Sequence, residues 1–193
     1  MTRFRTAAFA AFILLSAPAF AQPAFAHEGV LHDGCPAGQS FAAGGITVTG
    51  AYVRATPKGA QSAGGYLTIA NTGTSADTLT GVSSEAASDV GLHQMKMTGN
   101  VMEMAPLEGG LVIPPGGSVP LDPMGDHLMF TGMSQPFVQG QCVEIVLHFA
   151  AAGDLPVQLN IGGFGQNAPP DASNGAPVNS SGTMDMSSMA MPM

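Results

Sequence analysis

Four methionines and one histidine occupy the twelve residues "HQMKMTGNVMEM", residues 93 to 104. An imidazole nitrogen and a thioether sulfur can each donate a lone pair to a metal ion, whereas methionine is otherwise a flexible filler of hydrophobic cores. The cores of β-sheets are built mainly from Val, Ile and aromatic residues, so a methionine-only core would be unusual. The segment therefore has two interpretations, core packing or a site for a soft metal ion.

This segment is predicted to form a β-hairpin, because Gly99 and Asn100 separate two alternating runs. If these two residues form the whole loop, residues whose numbers sum to 199 lie opposite each other. One face of the hairpin then carries five potential ligands: His93, Met95, Met97, Met102 and Met104. A three-residue loop would place the two methionine runs on opposite faces, so the register decides whether the cluster exists.

A second potential ligand pair occurs in "GDHLMFTGM", where His127 and Met129 are two residues apart and share one face of a strand. With His93 and Met104 they make a set of two imidazoles and two thioethers. Neutral and partly soft ligands favour Cu(I) over zinc, magnesium or calcium. Thioethers also suit an oxidising compartment, because they cannot pair into disulfides as cysteines do. Met95, Met97 and Met102 are expected to line the site or to pack beside it.

The elements that would position these residues are short strands. From residue 44 to residue 163, β-branched and alternating segments are separated by clusters of Gly, Pro and Asn, which predicts an all-β sandwich. In "CVEIVLHF", alternation assigns Val143 and its i+2 neighbours to the core and Cys142 and His148 to the other face. His148 is predicted to be a surface histidine.

The two cysteines, Cys35 and Cys142, are an even pair in a chain with features of an exported protein, which favours a disulfide. The Cys35 segment would then lie against the outer side of the sheet. The alternative is a copper thiolate at Cys142, with His148 nearby.

The ends of the chain have different compositions from the middle. Residues 1–26 resemble a secretory signal peptide, with cleavage after residue 21 or 26, and predict an exported, periplasmic protein that does not span a membrane. Its removal leaves three basic residues against 13 acidic ones, a net charge of −10, which disfavours nucleic acid as a partner. Residues 27–43 are an N-terminal extension, and residues 164–193 are a linker with a disordered, methionine-rich tail.

Both ends also contain potential secondary ligands. Five methionines in the tail could capture Cu(I), and His27 and His32 near the processed N-terminus could chelate Cu(II); a biased tail and a flexible N-terminus without metal are the alternatives. The tail methionines are Met184, Met186, Met189, Met191 and Met193.

The segment from residue 44 to residue 163 resembles the periplasmic copper chaperone family PCuAC. Its motif is His, ten residues, Met, about 21 residues, then His-x-Met, and "HQMKMTGNVMEM" and "GDHLM" are similar to it. Here the second interval has 22 residues, with Gly109-Gly110 as the place for the extra one. "GGYLTIANT" and "VIPPGGSVPL" also resemble family segments.

This resemblance implies a cupredoxin-like, Greek-key sandwich that binds Cu(I) through His93, Met104, His127 and Met129. It further implies delivery of copper toward the Cu(A) centre of cytochrome c oxidase, alongside a thioredoxin-like assembly factor.

Two other functions share parts of this pattern. A blue-copper electron carrier needs a cysteine thiolate, two histidines and an axial methionine, and Cys142 has no methionine after it before the linker. A metal-free structural or adhesive module explains the fold but leaves the His-x-Met pattern to chance. Catalysis is not expected, since the sequence has neither G-x-S-x-G nor H-E-x-x-H.

Overall fold

The computed structural model describes residues 31–36 and 38–170, and in these residues it contains strands and turns but no helix. Consequently, the described residues include no helix long and apolar enough to cross a membrane. Twelve strands follow one another along the chain: β1 Leu31–Asp33, β2 Ser40–Ala43, β3 Ile46–Arg54, β4 Ser62–Asn71, β5 Asp77–Ser83, β6 Ala87–Thr98, β7 Val101–Pro106, β8 Leu111–Ile113, β9 Ser118–Leu121, β10 Asp126–Met133, β11 Gln141–Phe149 and β12 Gly153–Gly162.

The strands hydrogen-bond in the order β7-β6-β10-β4-β3-β12-β11-β5-β8, and β1, β2 and β9 attach to β11, β3 and β4. Strands β3 and β12 run parallel, whereas the other pairings in the described residues are antiparallel. The path folds back on itself, because β5 and β6, which lie near opposite ends of this order, are in contact without being hydrogen-bonded to each other. The predicted all-β sandwich is confirmed.

The core lies between these layers and follows the alternation of each strand. On β11 the core-facing residues are Val143, Ile145, Leu147 and Phe149, as predicted, all 5% exposed or less. On β10, Leu128 and Phe130 are completely buried and alternate with His127 and Met129. The alternation therefore directs His127 and Met129 to the face opposite the core.

Two short strands come from the segment predicted to be an extension. Strand β1 pairs with β11, with His32 opposite Cys142, and β2 pairs with β3. The disulfide between Cys35 and Cys142 joins the end of this added segment to β11, with the two Cα atoms 5.5 Å apart. The predicted disulfide is confirmed, which excludes a copper thiolate at Cys142, but the Cys35 segment extends the sheet edge rather than lying outside the sheet.

Buried polar side chains fix the turns at one end of the sandwich. The carboxylate of Asp77 accepts hydrogen bonds from the backbone N–H groups of Thr78, Ala151 and Ala152 at 2.7 to 2.9 Å. Asn71 donates to the carbonyls of Ser75 and Ile113. The Asp77 bonds tie the turn between β11 and β12 to the start of β5. The Asn71 bonds tie the end of β4 to the turn that follows it and to β8.

Candidate metal centre

The hairpin of β6 and β7 has the register that the two-residue loop predicts. Met95 lies opposite Met104 and Met97 lies opposite Met102, and Gly99 in the turn has a φ of +65°, which suits glycine. Because directly opposite side chains lie on the same side of a sheet, the methionine cluster exists on one face of the hairpin.

The hairpin methionines are not core residues. Met97 is 57% exposed, Met104 48% and Met102 41%, and Met95 is half-buried. None of the four belongs to the hydrophobic core. The interpretation of this cluster as core packing is therefore wrong for the described structure, and the methionines remain available to a ligand.

The two histidines of the predicted ligand set face each other across β6 and β10. His93 lies directly opposite His127, and their ring centroids are 6.1 Å apart. Two residues farther along β10, on the same face as His127, Met129 lies opposite Gly91. In the row on the other side of the histidines, Met95 lies opposite Met104. The histidine row is therefore flanked by one thioether row on each side.

Hydrogen bonding leaves ring nitrogens available in both histidines. His127 is 4% exposed, and its Nδ1–H donates to the carbonyl of Gly125 at 3.1 Å, which fixes the tautomer and leaves the Nε2 lone pair free to ligate. The Nδ1 of His93 is buried and has no hydrogen-bond partner in the described part of the chain. A buried polar atom without a partner is rare and calls for a bound group.

Two glycines make room for the rings beside Met129. A Cβ on Gly91 would lie 3.5 Å from the Nε2 of His93, so the His93 ring lies over this glycine. A Cβ on Gly64 would come within 3.0 Å of the Tyr66 ring, whose hydroxyl lies above it. Gly64 is the cross-strand neighbour of Met129 on β4, as Gly91 is on β6. Met129 therefore lies between an imidazole and a phenol that lean inward from both sides.

Aromatic rings continue from the histidines into the sheet. The ring centroid of Tyr66 is 6.4 Å from that of His127 and 5.1 Å from that of Tyr52. Burial raises the pKa of Tyr66 and raises that of Tyr52 to about 12, so both phenols stay protonated. The guanidinium of Arg54 lies 5.2 Å from the Tyr66 centroid, a cation–π contact.

Arg54 also fixes the chain that follows β12. Its Nε donates to the carbonyl of Gln166 at 2.8 Å, and its terminal nitrogen donates to the side chain of Asn167. Arg54 thus holds the start of the segment that was predicted to be a flexible linker. The same guanidinium covers the tyrosine side of the candidate centre.

Burial keeps His93 neutral and so ready to ligate. Desolvation lowers the pKa of His93 below its ordinary value of 6.5, and the neighbouring His127 lowers it further, while Asp89 acts in the opposite direction. A neutral imidazole is the form that binds a metal ion. At neutral pH the site therefore needs no proton release from His93.

Harder ligand sets are absent from the described residues. No group of three or more His, Cys, Asp and Glu residues in the described ranges is placed to hold a metal ion. Met129 adjoins the histidine row from within the sheet, whereas Met104 lies opposite Met95 on the edge strand β7 with a side chain that is 48% exposed.

The other predicted ligands lie elsewhere. His32 is on β1, with its Nε2 3.8 Å from a carboxylate oxygen of Glu144, away from β6 and β10. His148 bonds Asp154 through Nδ1 and Ser83 through Nε2 on the surface, as predicted for a surface histidine. The predicted signal peptide, His27 and the five tail methionines lie outside the described residues.

Sequence reasoning missed the residues that shape the centre, which are Gly64, Tyr66, Gly91 and Gly125. Their signal was present, because a glycine inside a strand pattern marks a place where another group approaches the backbone closely. Both "AGGYL" and "DVGLH" have this form.

Comparison with known proteins assigns the family. Residues 46–161 match the family described as "Putative lipoprotein LpqE-like". The chain belongs to the LpqE-like family. This LpqE-like chain is also 31% identical over 122 residues to "Putative lipoprotein Lxx21020" of Leifsonia xyli subsp. xyli (strain CTCB07), covering 63% of the chain and 72% of the relative.

Solved structures agree on the fold of this LpqE-like protein. The copper-bound PCuAC domain from PmoF2 is 24% identical with a TM-score of 0.55, covering 65% of this chain and 98% of that domain. The apo PmoF2 PCuAC domain is 22% identical with a TM-score of 0.56, covering 67% and 99%. At these identities the likeness concerns the fold, and it confirms the cupredoxin-like sandwich that the resemblance to PCuAC domains implied.

Proposed function

We propose that this LpqE-like protein is a copper carrier that holds Cu(I) through His93, His127, Met129 and Met104. The observation that carries the proposal is the opposed histidine pair of β6 and β10, in which His93 has a buried Nδ1 without a partner and His127 keeps Nε2 free. Two neutral imidazoles with thioethers on either side suit Cu(I) better than a hard metal ion. The PmoF2 PCuAC domain, which shares the fold, has been solved with copper bound, and this supports copper as the metal.

We further propose that the protein delivers its copper rather than using it in catalysis. The ligands are neutral, and Met104 is about half exposed, so an acceptor rich in thiolates can approach the ion and displace weaker ligands. The acceptor suggested by the resemblance to copper chaperones is the subunit of cytochrome c oxidase that carries Cu(A), with a thioredoxin-like assembly factor.

An exported, periplasmic location fits this role. The disulfide of Cys35 and Cys142 requires oxidising conditions, and thioether ligands remain unpaired there.

Anaerobic titration of the mature protein with Cu(I), against a competing chelator, tests the site. The double variant His127→Ala, Met129→Ala is expected to lose more affinity than the 10- to 100-fold that a supporting residue costs. The single variant Met129→Leu keeps a side chain of similar volume and should weaken binding while preserving the thermal unfolding temperature. His148→Ala is the matched control, since that histidine lies on the surface outside the centre.

The outcomes separate three cases. Tight binding that the double variant loses supports the proposed site. Equal binding by both proteins would place the copper outside the His-Met site and contradict that site. If neither protein binds Cu(I), the metal-free module is the remaining interpretation and the proposed function is wrong.

A further inference from the structure

The outer pair of the hairpin lies beyond the reach of the centre at the histidines. Met97 is four residues from His93 on the same strand, which at a rise of about 3.3 Å per residue places its Cα roughly 13 Å along β6. Met102 is directly opposite Met97 on β7. One ion bound between His93 and His127 cannot also bind this pair, so the two sulfurs are not explained by the proposed centre.

The hairpin has one charged face and one sulfur face. Lys96 and Glu103 lie opposite each other and point away from the methionines. Charged side chains of this kind are the ordinary way to protect an edge strand such as β7 from pairing with other chains. The sulfur face has no such protection. At the outer end of the hairpin, 57% of Met97 and 41% of Met102 are exposed to solvent.

The pair also has the geometry of a two-sulfur clamp. Side chains directly opposite on antiparallel strands have Cβ atoms about 4.5–5.5 Å apart. The thioether sulfurs lie two bonds beyond these Cβ atoms on flexible side chains, so both can turn toward one ion held above the pair. Cu(I) is the soft ion that thioethers select, and Met95 in the adjoining row can supply a third sulfur.

We propose that Met97 and Met102, joined by Met95, form a second Cu(I) site made only of thioethers at the end of the hairpin. It rests on the proposed function for its metal but is a separate site with a separate ligand set. Because it contains no imidazole and is open to solvent, it binds Cu(I) more weakly than the histidine centre. It selects Cu(I) over Cu(II), which prefers nitrogen and oxygen ligands, and over zinc, which binds thiolates, imidazoles and carboxylates rather than neutral thioethers.

Methionine-methyl NMR on the mature, full-length protein tests this site directly. With [methyl-¹³C]methionine labelling, the single variants Met97→Leu and Met102→Leu assign the two resonances by their disappearance. Anaerobic Cu(I) is then added to the wild type and to the variant His127→Ala, Met129→Ala. The Met97 and Met102 methyl signals are expected to shift after the first equivalent in the wild type and to shift in the variant that lacks the histidine centre.

The stoichiometry provides the second readout. The double variant Met97→Leu, Met102→Leu should lose one weak equivalent of Cu(I) and retain the tight equivalent unchanged. The matched control Lys96→Gln, Glu103→Gln alters the opposite face of the same hairpin and should retain both equivalents.

The results distinguish this inference from the proposed function. Tight binding without movement of the Met97 and Met102 signals would overturn the second site and leave the histidine centre intact. Signals that move in the wild type but stay fixed in the His127, Met129 variant would also overturn it, because the hairpin would then be responding to the histidine centre alone. Movement in the variant without any tight binding in the wild type would support the thioether site and contradict the histidine centre.

Discussion

At the scale of single residues, the candidate centre depends on the absence of side chains as much as on its ligands. Gly91 and Gly64 flank Met129 on the two neighbouring strands, and the rings of His93 and Tyr66 occupy the space above them. A Cβ on Gly64 would already displace the Tyr66 ring, whereas at Gly91 only a side chain that extends beyond Cβ would push the His93 ring away from Met129. The two glycines therefore position the groups around the candidate ligands.

Replacement of Gly91 tests this role. In Gly91→Val the γ-methyl groups extend into the space of the His93 ring, and we expect Cu(I) affinity to fall about 10- to 100-fold, the range for residues that orient ligands. Gly91→Ala is the matched control, because its Cβ would lie 3.5 Å from Nε2, an ordinary contact. Chelator competition measures the affinities, and equal values for the two variants would contradict the positioning role.

The residue scale also shows how far a sequence can predict a site. The ligand types and their faces follow from alternation and spacing, so His93, His127 and Met129 could be grouped from the sequence alone. The depth of each side chain could not be predicted, because it depends on neighbouring strands that are distant in sequence. Tyr66 and Met129 become neighbours only when β4 pairs with β10. For the same reason the large exposure of Met104 was not predictable.

At the scale of elements, the turn between β11 and β12 depends on one carboxylate from another strand. Burial raises the pKa of Asp77, but the hydrogen bonds from Ala151, Ala152 and Thr78 outweigh it and hold the pKa below its ordinary value of 3.8. A carboxyl with a lowered pKa in the folded state stabilises the fold above its pKa in the unfolded chain. That stabilisation is lost as the pH falls through the folded value.

The variant Asp77→Asn should therefore be less stable at neutral pH, by about 1–3 kcal/mol in the free energy of unfolding, the cost of leaving buried donors poorly satisfied. The difference between variant and wild type should shrink as the pH falls below about 4. Urea unfolding at a series of pH values measures it, with the exposed Glu108→Gln as control. A difference that stays constant down to pH 2 would contradict the role of the charge.

Short elements were the hardest to predict. Strands β1 and β2 have three and four residues, too few for a period to stand out, and they are fixed by pairing with β11 and β3. The long strand β11 shows the opposite behaviour, because its alternation over nine residues predicted the core face. The hairpin was predictable but its register was not, because the sequence fits a two-residue and a three-residue loop, and only the pairing of β6 with β7 decides for the two-residue loop.

At the scale of the whole molecule, the sheet order separates two functions of the fold. The methionine hairpin lies at one end of the strand order, and the disulfide secures β1 to β11 in the other layer of the sandwich. The covalent bond therefore stabilises the fold without contact with the candidate centre. The acidic charge of the chain, −8 over all residues, favours a cationic cargo and a basic surface on the acceptor.

The edge position of β7 also has a consequence for local opening. In the described structure β7 is hydrogen-bonded only to β6, so its amide protons can exchange with solvent by fraying of one strand. A copper ion held by Met104 of β7 and by His127 and Met129 of β10 would cross-link strands that are two positions apart. We expect hydrogen–deuterium exchange of residues 101–106 to slow at least several-fold on Cu(I) binding, while exchange in β11 stays unchanged. Equal exchange of β7 with and without copper would show that Met104 is not a ligand.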